Sequence, residues 1–270
     1  MPPDILFLLM LVLRMAITAA FVVSASFVTE RSGPVIGALV ATLPISAGPS
    51  YVFLAIDHDA AFIAQGALSS LPINAATIVL GLIYVLLAQR HGALLSWAAG
   101  AAVWFVLAVL ARKVEWSLAG GLLANAIAFA ICIPAMQQFR HVRMPPITRR
   151  WFDVPLRASL VAALVATVVT LSGFVGPAVS GIIALFPIVF SSMILILHPR
   201  IGGPATAAVL ANSGWGLLGL GLAIAVLHVA ALQFGSAIGL SLALSICIGW
   251  NLSLWWIGRR RLAPARSLHR

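Results

Sequence analysis

Residues 33–45 read GPVIGALVATLPI, and residues 176–188 read GPAVSGIIALFPI. Both segments open on Gly-Pro, run through small and branched apolar residues, and close on Pro-Ile, with Gly33-Pro34 matched to Gly176-Pro177 and Pro44-Ile45 to Pro187-Ile188 at an offset of 143 residues. The same offset relates Arg14 to Arg157, Ser70 to Ser213 and Gly92 to Gly235. Identity elsewhere along this alignment is low. The matched prolines matter most, because a proline inside a helix removes a backbone donor and breaks or kinks the chain at a defined place.

The surroundings of both segments set the solvent. The chain has 270 residues, of which 62% are hydrophobic and only 8% charged, against about a quarter charged in an ordinary soluble domain. Apolar windows such as 5–28, 116–136 and 235–257 reach the ~20 residues that a helix needs to cross the hydrocarbon. The sequence therefore predicts an all-α integral membrane protein with spans near 5–28, 33–56, 60–88, 92–111, 116–138, 154–173, 176–197, 203–232 and 235–257. The third and eighth stretches exceed a perpendicular crossing, so each is expected to tilt, kink or break.

Nine spans and a repeat of 143 residues give a four-plus-one-plus-four plan. Residues 1–115 form the first four-helix repeat and 116–138 the linking span. A basic loop follows at 139–153, then the second repeat at 154–258 and a basic tail at 259–270. One extra crossing between two four-helix units turns the second upside down, so the repeat is expected to be inverted. Charge supports the topology: twelve of the sixteen basic residues fall on one side, among them Arg140, Arg143, Arg149, Arg150 and Arg259–Arg261, and only Arg112 and Lys113 fall on the other. Basic loops face the cytoplasm, which puts the N-terminus outside and the C-terminus inside a bacterial-type inner membrane. The net charge of +10 then meets lipid phosphates rather than nucleic acid.

Inverted repeats joined by broken helices are the plan of many secondary transporters, whose site lies near midplane between the repeats. The expected function is transport or export of a small solute. Arg14 and Arg157, charges inside or near the ends of spans, point to an anion, since guanidinium binds carboxylate or phosphate bidentately. Pro44 and Pro187 would open backbone groups, and Ser46, Asn74, Ser191 and Asn212 would supply hydrogen bonds. A lipid-handling protein and a non-catalytic scaffold are the alternatives, and a homo-oligomer is compatible with all three. His228 is read as a packing residue. The triplet Asp57-His58-Asp59 and the segment His198-Pro199-Arg200 are read as solvated loops. No cofactor or metal is expected. All six acids lie in loops or at helix ends, which disfavours an antiporter built on an embedded carboxylate pair. The GxxxxGK[ST], HExxH and GxSxG patterns are missing, so no enzyme activity is expected. Cys132 and Cys247 sit far apart without CxxC spacing, and no disulfide is expected.

The GPVIGALVATLP and GPAVSGIIALFP segments resemble uncharacterised bacterial polytopic membrane proteins in which a small four-helix unit is duplicated. ALFPIVFSSMILI is similar to a segment of the small GlpM-type membrane proteins. The resemblance covers about a dozen residues in each half and implies no catalytic or binding residue. The four-plus-one-plus-four plan also looks like that of fused fluoride channels, whose characteristic motifs this chain lacks.

Overall fold

The computed structural model describes residues 3–31, 44–142 and 150–262. Among these residues every regular element is a helix. They are α1 (Pro3–Arg31), α2 (Ala47–Asp57), α3 (Ala60–Leu87), α4 (Ala93–Arg112), α5 (Leu118–Gln137), α6 (Asp153–Ala184), α7 (Ile188–Ile201), α8 (Gly203–Phe234) and α9 (Ser236–Leu262). Seven helical stretches among the described residues are long and apolar enough to cross a membrane, with α6 and α7 together forming one stretch, Asp153–Ile201. The protein is a multi-pass, all-helical membrane protein. The first part of the expected 33–56 span, including the Gly33-Pro34 motif, lies outside the described residues, as do Arg143, Arg149, Arg266 and Arg270.

The expected boundary between 173 and 176 is a kink inside α6. Gly176 adopts φ 73° and ψ 178°, a left-handed φ that glycine tolerates without the steric cost paid by other residues. A second interruption follows at Leu185–Pro187, where α6 ends and α7 begins. The long stretches behave differently. α3 and α8 run unbroken for 28 and 32 residues, although α3 contains Pro72. At ~1.5 Å per residue each is longer than the ~30 Å hydrocarbon, so they cross at a tilt.

α3 is the centre of the bundle, packing against α4, α5, α6 and α8. Its middle is buried from Gly66 to Ile78. Small residues allow this. A Cβ on Gly181 of α6 would fall 2.1 Å from the Gly66 carbonyl oxygen, and a Cβ on Gly203 would fall 1.9 Å from the Ala88 carbonyl oxygen. Backbones touch at these points, as they do where membrane helices associate through small residues. α1 packs mainly on α6, through Val22, Ala158 and Val161, and its other faces are apolar and exposed, from Ile5 to Phe27. In a bilayer those faces meet lipid.

Candidate functional site

Contacts along α3 fix the depth of each break. The segment after Gly176 follows α3 from one end to the other. Its Pro177 lies beside Gly66, the Gly181 carbonyl accepts a hydrogen bond from Ser70 Oγ at 2.8 Å, Phe190 lies beside Gly81, and His198 Nδ1 is 2.7 Å from the Tyr84 hydroxyl. Pro187 therefore sits level with the middle of α3. α2 is anchored the opposite way. Tyr51 hydrogen-bonds Ser70 at 2.7 Å, and Asp59, just beyond its far end, caps the start of α3 by accepting from the Phe62 amide at 2.9 Å. Both α2 and α7 thus begin near mid-depth and run toward opposite ends of α3.

Their starting points meet in one cavity of about 130 Å³. Pro44, Ile45, Ser46 and Ala47 line it from the start of α2, and Leu185, Phe186, Pro187, Val189, Phe190 and Met193 from the interruption between α6 and α7. Asn74 and Thr77 of α3 and Ser213 and Leu217 of α8 complete the polar and central wall. Among the described residues no side chain caps the N-terminus of α2 or of α7. At the start of α2 the Gly48 amide already donates to the Pro44 carbonyl at 2.8 Å and Pro49 has no N–H, so the uncapped start of α7 is the one that brings a partial positive charge to the cavity. The short helix between Gly176 and Ala184 ends at the same interruption and leads into Leu185 and Phe186 of the cavity wall.

Of the residues expected from sequence, Pro44, Ser46, Asn74 and Pro187 line this cavity. The other four are placed elsewhere. Arg14 makes a bidentate ion pair with Asp57, one arm of which measures 2.6 Å, and lies 5.7 Å from the centroid of the Phe53 ring. Its charge is already matched. Arg157 is half-buried in the first turns of α6 and does not line the cavity. Ser191 accepts from Trp97 Nε1 at 2.9 Å and donates to the Pro187 carbonyl at 2.9 Å, so it holds α4 against α7. Asn212 is exposed, accepts from Arg140 Nε at 2.9 Å and donates to the Ala208 carbonyl at 2.8 Å.

The two segments read as solvated loops are tied into the structure. Asp57 pairs with Arg14, and His58 Nε2 lies 2.8 Å from Ser172 Oγ while its ring stacks on Phe62 at 3.8 Å. His198 and Arg200 form the last turn of α7, where Arg200 makes a bidentate pair with Asp153 at 2.5 and 2.6 Å. Local sequence could not reveal these partners because each lies more than 40 residues away. His228 Nδ1 is 2.8 Å from the Ala64 carbonyl oxygen, which only accepts, so this nitrogen is the donor. Among the described residues no cluster of His, Cys, Asp or Glu has the makings of a metal site.

Asn125 of α5 was not expected from sequence. Its Nδ2 donates to the Leu71 and Gly121 carbonyls at 2.7 and 2.9 Å, and its Oδ1 accepts from Asn74 Nδ2 at 2.9 Å. The visible signal was an amide inside the apolar run of α5. Asn125→Leu strips Asn74 of a buried partner, and we expect it to cost about 1–3 kcal/mol, read as a lower melting temperature in detergent. In comparisons with known proteins, the chain matches no family model, no curated protein and no solved structure.

Proposed function

We propose that this chain is an inner-membrane secondary transporter of a small solute, built from two inverted four-helix repeats about α5, with its site where the two helix breaks meet. The observation that carries this reading is the mid-depth cavity bounded by Pro44 and Pro187. Unwound backbone at membrane depth is tolerated where it lines a cavity or is buried in protein, and discontinuous helices meeting at the midplane are how transporters present helix ends to a solute.

The repeat is supported by element boundaries that obey the sequence offset. α3 and α8 begin at Ala60 and Gly203, and α4 and α9 at Ala93 and Ser236, each pair 143 residues apart. Asn74 Nδ2 donates to the carbonyl of Leu217 at 3.1 Å, its own counterpart 143 residues on. Contact between a residue and its mate is expected beside a two-fold axis. The ion pairs also correspond: Arg14–Asp57 ties α1 to the end of α2, and Asp153–Arg200 ties α6 to the end of α7. Asp57 and Arg200 are offset mates, whereas Asp153 stands four residues before Arg157, the mate of Arg14, so the second pair is formed from a neighbouring turn with the signs exchanged. With the N-terminus outside, the first pair closes the outer side and the second the inner side.

A lipid-handling reading draws on a second cavity, of about 410 Å³, bordered by α1, α2, α8 and α9. Its described lining is almost wholly apolar, including Phe21, Val52, Ile224, Leu227 and Leu244, and contains neither Arg14 nor Arg157. It would hold an acyl chain, but its described lining offers a phosphate headgroup no cation. Solute transport therefore stands first. Purified protein in liposomes should catalyse uptake or counterflow of small organic anions, and Ser213→Phe, which fills the central cavity, should reduce that flux at least about tenfold while the protein remains folded. Undiminished flux in a folded Ser213→Phe variant would sink the proposed site.

A further inference from the structure

The central cavity contains one polar atom whose requirement can be worked out. Asn125 Nδ2 spends its protons on the Leu71 and Gly121 carbonyls, so Asn125 turns its oxygen toward Asn74. Asn74 must answer with its nitrogen, which donates to Asn125 Oδ1 at 2.9 Å and to the Leu217 carbonyl at 3.1 Å. Both amide orientations are thereby fixed by oxygens that only accept. Asn74 Oδ1 is what remains. It is fully buried, it has no hydrogen-bond partner among the described residues, and its residue lines the cavity.

An amide oxygen in that position calls for a donor. The uncapped start of α7 calls for negative charge. A halide or a simple fatty carboxylate would satisfy the helix end and leave Asn74 unserved. A lone metal cation would satisfy Asn74 and oppose the helix end. A solute carrying both an anionic group and its own O–H or N–H satisfies both. The size is also bounded: about 130 Å³ equals roughly four waters at ~30 Å³ each, room for about five or six heavy atoms. Val189, Met193 and Leu220 suit a short carbon skeleton.

Resting on the transport reading above, we infer that the cavity takes a short 2-hydroxy- or 2-amino-carboxylate, with its carboxylate at the start of α7 and its donor on Asn74 Oδ1. Glycolate and propionate test this directly, because they have the same number of heavy atoms and differ by O–H in place of CH₃. In liposomes containing the intact protein, glycolate flux should exceed propionate flux at least about tenfold, since a site built around a substrate hydroxyl rejects the analogue that lacks it. Asn74→Leu should bring the two within about twofold of each other. The paired Asn74→Leu/Asn125→Leu variant, which leaves neither amide orphaned, serves if the single variant does not fold. Equal glycolate and propionate flux in the unaltered protein would overturn the solute class and leave transport standing. No flux of any small anion would overturn the transport reading itself. Stabilisation by sodium in the absence of organic anion, lost in the Asn74 variant, would assign the oxygen to a cation and overturn the inference.

Discussion

Gly181→Ala should leave little folded protein. The added Cβ would stand 2.1 Å from the Gly66 carbonyl oxygen and 2.7 Å from its carbonyl carbon, and neither partner is a side chain able to swing away. Relief requires the segment after Gly176 to move off α3, which also strains the hydrogen bond from Ser70 to the Gly181 carbonyl. Overpacking in a core commonly costs about 1–3 kcal/mol and sometimes more, and here two backbones bear it. Gly173→Ala is the control, because nothing lies within 4 Å of its Cβ position. Thermal unfolding in detergent should separate the two, with a large loss for Gly181→Ala and a small change for Gly173→Ala. Equal melting temperatures would mean that the helices do not cross at Gly66 and Gly181.

The second large effect concerns the ion pairs at the ends of the half-helices. Asp153 and Arg200 are 12% and 14% exposed, whereas Arg14 and Asp57 are 18% and 29% exposed, so the Asp153–Arg200 pair is the drier and should matter more. Removing one member leaves a charge without its partner in a poorly solvated place, a change more damaging than loss of an exposed pair. Asp153→Asn should free the α7 end and raise access to the central cavity from that side roughly tenfold, as expected when a minor open state becomes a substantial one. Asp57→Asn should do the same from the other side, to a smaller extent. Reversing both charges, Asp153→Arg with Arg200→Asp, should restore the closed behaviour of the inner end. Access is read as the rate at which a cysteine placed at Ser213 is alkylated by an impermeant reagent added to one face. Identical rates in all variants would mean that these pairs do not control entry.

The sequence announced the solvent, the helices and the break at Pro187 because those depend on local chemistry. Apolar runs needed lipid, and Pro187 ended a helix wherever its neighbours lay. It also marked Pro44, Ser46 and Asn74, since small and polar residues beside a proline in an apolar run have few other reasons to be there. Arg14 misled for a physical reason. A charge within a span demands a partner, but sequence does not say whether that partner is a solute or a side chain 43 residues away. Asp57 supplied the answer, and its position in a triplet that read as a solvated loop concealed it. Asn125 was missed in the same way: it looked like one amide in the linking helix, and only the approach of α3 and α5 made it the group that orients Asn74. The unbroken course of α8 despite Asn212, Ser213, Gly214 and Gly216 shows a further limit, because a polar cluster can serve the outside of a helix as readily as a break in it.

The most direct measurement places cysteines at Ser46 and at Ser213, one at a time, in protein whose own Cys132 and Cys247 have been replaced. Both positions line the cavity where the two breaks meet. A small water-soluble thiol reagent should modify each of them in folded protein in liposomes, modification should stop solute flux, and glycolate should slow it. Cysteines at both positions that react only after the protein is unfolded would contradict a central site, because the junction of the two breaks would then be sealed packing and no site at all.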